Sequence, residues 1–94
     1  MNVRLVPSKI IGDHTKDNIG TTDTTLTKPD GANAILIQAL DANATVVLDT
    51  AATTANGFLL TASDKPDLYP VVGAAIKVQG AASGTNIVYQ WCQV

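Results

Sequence analysis

Residues 34–40 read AILIQAL, and this stretch decides the fold class. Apolar side chains occupy both alternating sets of positions, with Ile35, Ile37 and Ala39 in one set and Leu36, Gln38 and Leu40 in the other. Successive side chains of a strand point to opposite faces, so a strand of this composition is typically covered on both faces. We therefore predict a strand at 34–40 that packs on its own core with one face and on a neighbouring subunit with the other.

A hairpin follows this strand, and the pattern then repeats to the end of the chain. Residues 41–43 form a tight connection to the apolar run 45–48, which is typical of a β-hairpin. Further short strands are predicted around Leu26 and at 58–61, 68–72, 74–79 and 86–94. Turns rich in Gly, Pro and Asp separate them. About six or seven strands at a spacing of about ten residues predict a small antiparallel β-sandwich, and the jelly roll is one topology of this kind.

The composition favours the same all-β class. The chain has 94 residues and 46% apolar side chains, enough for one small domain with a modest core. Glu is absent, whereas Thr, Ala, Val and Ile are abundant. β-Branched side chains fit a pleated sheet, and Asp prefers turns to helix interiors. No long stretch shows helical periodicity.

Charge and hydropathy narrow the range of partners. The net charge is −2, and the six basic residues are spread along the chain without a stripe, which argues against nucleic acid as a partner. No apolar run approaches the roughly 20 residues of a membrane-spanning helix, and the first residues show no signal-peptide pattern. The single cysteine, Cys92, has no partner for an internal disulfide. We expect a chain made in a cytoplasm, with neither a membrane nor a nucleic acid as its partner.

The first 25 residues differ in character from the remainder. They are mostly polar, with apolar side chains at Val3, Leu5, Val6, Ile10, Ile11 and Ile19. A purely solvating tail would not need these apolar side chains, and a segment of this kind gains little by folding on itself. We predict an extended N-terminal arm at 1–25 that is ordered by contact with other protein surfaces, followed by a β-sandwich domain at 26–94.

No constellation of residues in the sequence predicts catalysis or a cofactor. His14 is the one imidazole, with no nucleophile or set of ligands at a fixed spacing from it. Most Asp residues lie in turn-like surroundings, where capping and turn chemistry explain them. Cys92 has no nearby His or cationic cluster, so an inert thiol is expected. We predict a protein that is not an enzyme and that uses no cofactor and no metal.

The aromatic side chains allow two interpretations. Tyr69, Tyr89 and Trp91 would form a sugar-binding platform if they shared an exposed face. Tyr89 and Trp91 lie two apart on one predicted strand, which favours a place in the core or in a subunit contact instead. We therefore include Tyr89 and Trp91, with Leu36 and Leu40, in a candidate subunit contact.

The order of features along the chain is similar to that of a known group. Leu26-Thr27-Lys28-Pro29 precedes the segment 31–39, then come Asp49-Thr50, Gly57-Phe58-Leu59-Leu60, Ala75-Ile76-Lys77-Val78 and Ile87-Val88-Tyr89. In this order, the segment from Leu26 through Trp91 resembles small virion structural proteins of tailed bacteriophages, of the head decoration or cement type. The segment covers about two thirds of the chain.

The resemblance implies a β-sandwich that assembles on a capsid. It makes the major capsid protein and other copies of the chain, as a dimer or trimer, the expected partners, and the virion surface the expected location. A tail, neck or baseplate component is the alternative within the same class. A carbohydrate-binding module that uses the three aromatic residues is the alternative from another class.

Overall fold

The computed structural model describes residues 9–48 and 57–94. Within these ranges the chain forms eight strands: β1 Lys9–Asn18, β2 Thr24–Thr27, β3 Ala34–Ala39, β4 Ala44–Val47, β5 Phe58–Leu60, β6 Asp67–Pro70, β7 Ala75–Gly80 and β8 Asn86–Gln93. All their pairings are antiparallel. In the same ranges no helix has the length and apolar character needed to cross a membrane. The predicted all-β class and the small antiparallel β-sandwich are confirmed.

The eight strands form two four-stranded sheets that together have the topology of a jelly roll. Sheet A has the order β1-β8-β3-β6, and sheet B has the order β2-β7-β4-β5. The chain changes sheet at every connection except that between β4 and β5, so strands adjacent in space are mostly distant in sequence. The prediction of a hairpin between 34–40 and 45–48 is therefore wrong, because β3 lies in sheet A and β4 lies in sheet B. This nested order of two four-stranded antiparallel sheets is the arrangement of an eight-stranded jelly roll.

The core lies between the inward faces of the two sheets. Ile35 and Ile37 of β3 are fully buried, as are Val46 of β4, Ile76 of β7 and Ile87 of β8. These side chains alternate along their strands with more exposed ones, as expected when each sheet presents one face to its partner. Of the two sets of positions in AILIQAL, the one with Ile35, Ile37 and Ala39 therefore faces the core.

The arm prediction is wrong for residues 9–25. β1 pairs with β8 from Lys9 opposite Gln93 to Asn18 opposite Asn86. Ile19 then enters the core with 5% of its surface exposed, and its backbone N–H donates to the carbonyl of Thr85 at 2.9 Å. The boundary predicted between residues 25 and 26 therefore runs through the sandwich instead of separating it from an arm. Val3, Leu5 and Val6 lie outside the described residues.

A β-bulge explains why β1 lacks a clear strand pattern. The register with β8 shifts between Ile11 and Thr15, and Gly12 has a φ of 72°. The side-chain amide of Gln90 donates to the carbonyls of Ile11 (3.1 Å) and Gly12 (2.9 Å), so β8 holds the irregular segment in place. Gly12, Asp13 and His14 lie opposite the single residue Gln90, so the bulge places two extra, unpaired residues in β1. The strand pattern is therefore interrupted in the middle of this segment.

Candidate interaction surfaces

The described part of the chain has four edge strands, and three of them carry features that discourage pairing with another chain. β1 has charged side chains and the bulge, and β6 contains Asp67 and Pro70. β2 exposes threonine side chains and is followed by Lys28 and Pro29. Charge, proline and bulges are the usual means by which proteins protect sheet edges.

β5 is the exception among these edge strands. It consists of Phe58, Leu59 and Leu60, with neither a charge nor a proline. Phe58 is 58% exposed and Leu59 is 60% exposed, whereas Leu60 is buried in the core. An edge strand with free backbone groups and exposed apolar side chains is a template for association with another strand.

An aromatic pair joins the two sheets beside this edge. The rings of Phe58 on β5 and Tyr69 on β6 have their centroids 5.8 Å apart and are inclined at 33°. Burial, with a further contribution from the carboxylate of Asp67, raises the pKa of the Tyr69 phenol above its ordinary value. Tyr69 therefore stays neutral at physiological pH. We call Phe58, Leu59 and Tyr69 the β5 rim.

Leu59 also belongs to the outer face of sheet B. It lies opposite Thr45 of β4, which in turn lies opposite Gln79 of β7. Together with Ala44 and Gly80 these residues line a shallow and largely apolar hollow. The β5 rim is thus apolar on both sides of the strand.

The outer face of sheet A forms a second surface, with an apolar floor and polar side chains around it. Leu36 and Val88 form its apolar floor, with His14, Gln38 and Gln90 around them. The amides of Gln38 and Gln90 are already engaged, since Gln38 donates to the carbonyl of Asp64 at 2.7 Å and Gln90 donates to the bulge of β1. The side chain of His14 is exposed.

The predicted interaction residues are divided between this surface and the core. Trp91 is 8% exposed and belongs to the core cluster, and Tyr89 packs against the same cluster. Leu36 points outward and is half-buried, as is Leu40 just after β3. The prediction that Trp91 contributes to a subunit contact is therefore wrong, because its own sandwich already covers it.

The aromatic residues do not form an exposed platform. Trp91 and Tyr69 both lie opposite Ile35, on the inward side of sheet A, and Tyr89 lies opposite Ile37 on the same side. Side chains that line one core cannot stack on a sugar together. The core position that the two-residue spacing favoured is confirmed for Trp91, whereas Tyr89 is partly buried and also lines the hollow beside Leu36.

The apolar residues of the predicted arm also separate. Ile11 packs against the core and Ile19 is buried within it, so neither is free to bind a partner. Ile10 is 55% exposed, and it lies opposite Cys92 on the outer side of sheet A. Of the described residues in that predicted set, Ile10 alone presents its side chain to solvent.

Cys92 is expected to be unreactive in the native protein. Its exposed fraction is 0%, and burial raises the pKa of its thiol, so little thiolate is available at neutral pH. We expect a disulfide reagent at pH 8 to modify native Cys92 roughly 100-fold more slowly than the unfolded chain, because reaction requires opening of the sheet. Absorbance of the released thiolate measures this rate.

A matched cysteine tests the same point. A Leu59→Cys variant carries an exposed thiol on β5 in addition to Cys92. We expect one equivalent of reagent to react rapidly with this variant and the second equivalent to react at the slow native rate. Rapid modification of both thiols, or of the wild-type thiol, would contradict the buried position of Cys92.

The local sequence of β5 indicates only part of its role. A strand was predicted at 58–61, but its position at an edge follows from the strand order β2-β7-β4-β5, which no local pattern reveals. The available signal was a run of three apolar residues directly after Gly57 with no charge in it.

Among the described residues no group of three or more His, Cys, Asp or Glu side chains is placed to hold a metal ion.

Comparisons with known proteins do not identify a relative whose function would help to interpret these surfaces. The fold assignment therefore depends on the strand order and pairings alone. The resemblance to phage virion proteins stays an expectation from the sequence. No family model, no curated protein and no solved structure matches this chain.

Proposed function

We propose that this chain is a non-enzymatic virion structural protein of a tailed bacteriophage, a decoration protein that binds and stabilises the lattice of the major capsid protein. The observation that carries the proposal is the jelly-roll order of its two sheets. Viral capsid domains are one of the main uses of this architecture, and lectins and cupins are others. Because a fold alone does not define a function, the proposal also uses the sequence resemblance and the distribution of exposed apolar side chains.

Of the predicted arm, residues 1–8 and the edge of the sandwich formed by β1 are the parts that we propose to contact the capsid. Ile10 is exposed on this edge, and the apolar Val3, Leu5 and Val6 precede it in the sequence. Because the charged side chains and the bulge of β1 discourage backbone pairing at this edge, the contact that we propose is one between apolar side chains. Repetition of a weak contact over a symmetrical lattice raises the total binding strength through effective concentration. In this way the chain would hold capsid subunits together across their seams.

The position on the particle is tested by counting copies. We expect mass spectrometry of purified particles to detect the chain, and cryo-electron microscopy to place it on the outer surface of the head. Copies on the order of hundreds indicate the head lattice, whereas a small multiple of six indicates a tail, neck or baseplate component. Absence of the chain from particles would overturn the virion assignment in both forms.

Binding to the capsid tests the contact surface. We expect Ile10→Asp to lower the affinity for capsids that lack the chain by at least about tenfold, because it places a charge on an apolar contact. Val72→Asp is the matched control, since Val72 is an almost fully exposed apolar residue outside the strands. Co-sedimentation with capsids measures both variants. Equal binding by Ile10→Asp and wild type would remove the β1 edge from the proposal.

A further inference from the structure

We propose that the β5 edge joins two copies of this chain, so that the two B sheets form one continuous eight-stranded sheet across a twofold axis. The proposal concerns this edge alone and does not depend on binding to a capsid. It assigns an interaction role to Phe58 and Leu59, on the opposite side of the sandwich from the β1 edge.

The absence of charge on β5 argues for a second copy as its partner. The chain carries a small net negative charge of −2, so a contact between two copies avoids added like-charge repulsion where the surfaces that meet are uncharged. β5 offers such a patch, because it has no charged residue and exposes two large apolar side chains. The second copy supplies a strand with the same properties. β1 and β6 would instead bring charged side chains or proline to the seam.

Antiparallel pairing of β5 with itself gives a self-complementary register. With the twofold axis at Leu59, each Leu59 faces its symmetry mate on the outer side of the sheet, and Phe58 faces Leu60 of the other copy on the inner side. A twofold contact of this kind requires one patch that matches itself. The apolar pairs that result are among the favourable cross-strand combinations.

The small size of the contact predicts a concentration-dependent dimer. β5 contributes three residues, and a stable interface generally buries about 1,200–2,000 Å² in total. Pro70 on the neighbouring edge of sheet A prevents a full second ladder from forming beside the first. We therefore expect monomers at low concentration and dimers at high concentration.

Sedimentation over a concentration series tests the contact with the full chain. We expect Leu59→Lys to raise the dimer dissociation constant at least about tenfold, because it places two like charges directly opposite each other. Ile10→Lys is the matched control, since it adds the same charge to a similarly exposed apolar residue on the opposite edge. Dimers that persist in Leu59→Lys, or that disappear in Ile10→Lys, would overturn the proposal, and so would a wild type that stays monomeric at millimolar concentration.

Cross-linking tests the register independently of affinity and of any loss of folding in the lysine variant. Under mild oxidation we expect Leu59→Cys to form a covalent dimer, since facing residues in an antiparallel pair lie close enough for a disulfide. Phe58→Cys is the control, because its two copies would be about 8 Å apart, beyond the reach of a disulfide. Buried Cys92 does not compete. Failure of Leu59→Cys to cross-link, or preferential cross-linking of Phe58→Cys, would reject the twofold register.

Discussion

Removal of residues 1–18 is expected to abolish cooperative folding of the chain. This deletion takes away β1, which pairs with β8 on both sides of its bulge and supplies Ile11 to the edge of the core. It also uncovers Ile87 and Trp91 on the inward face of β8 and leaves β8 as a new sheet edge. An arm that was ordered only by partners could be removed without this effect.

The magnitude follows from the burial that is lost. Each large apolar side chain contributes roughly 1.5–3 kcal/mol when it is fully buried. Partial loss of burial at Ile11, Ile87 and Trp91 therefore costs several kcal/mol, which is comparable with the roughly 5–14 kcal/mol that stabilises a domain of this length. The exposed edge of β8 adds a tendency to aggregate. We expect a collapsed or aggregated chain without a sharp thermal transition.

The one tryptophan of the chain provides the measurement. Trp91 is buried beside the strands that β1 covers, so its fluorescence should shift to longer wavelengths in the deletion variant. A chain that lacks residues 1–8 but keeps β1 is the control, because the difference between the two deletions isolates the contribution of β1. If the longer deletion melts cooperatively and keeps its tryptophan buried, residues 9–18 are not required for the sandwich, and this result would favour an N-terminal arm over an integral strand.

The fold could be predicted from the sequence where strands have an uninterrupted alternation. β7 alternates Ile76 and Val78 with Lys77 and Gln79, and it lies inside sheet B between β2 and β4. β1 could not be recognised, because KIIGDHTKDN is mostly polar and its bulge interrupts the period. Pairing of its backbone with β8 holds it in place more than burial of its side chains does. Such a long-range pairing leaves little trace in the local sequence.

The exposure of the residues in the candidate surfaces could not be predicted from the local sequence either. Whether Phe58 is a core residue or an exposed contact depends on the place of β5 at the end of the order β2-β7-β4-β5. That order arises from pairings between distant segments, whereas composition reports only that β5 is apolar. Trp91 illustrates the converse case, since an aromatic residue on the last strand is buried because β1 and β3 lie on either side of β8.

Gly80→Ala is expected to be the most destabilising single substitution that adds one methyl group. Gly80 ends β7 at a point where three segments meet, and its backbone N–H donates to the carbonyl of Gly20 at 2.9 Å. A Cβ atom at residue 80 would lie 2.5 Å from the Thr85 hydroxyl oxygen and still closer to the Thr85 Cβ and the Gly20 carbonyl oxygen. Real Cβ atoms do not approach other atoms this closely, so the backbone must move.

The surroundings of Gly80 cannot move without further losses. Thr85 is fully buried, and its hydroxyl donates to the carbonyl of Ala82 at 2.7 Å. The Thr85 carbonyl accepts from the N–H of Ile19 at 2.9 Å, which fixes the end of β1 to the loop before β8. Displacement of Thr85 would therefore weaken several buried hydrogen bonds at once, and an unsatisfied buried group costs about 1–3 kcal/mol. Overpacking adds about 1–3 kcal/mol.

Thermal unfolding measures the combined effect. A loss of about 3 kcal/mol lowers the Tm of a domain of this size by about 12–24 °C. Gly84→Ala is the matched control in the same loop, since a Cβ there meets nothing within 4 Å and its φ is not in the left-handed region. We expect Gly84→Ala to melt within a few degrees of wild type. Equal melting temperatures for the two variants would show that the junction of Gly20, Gly80 and Thr85 accommodates an added methyl group, which would contradict the prediction.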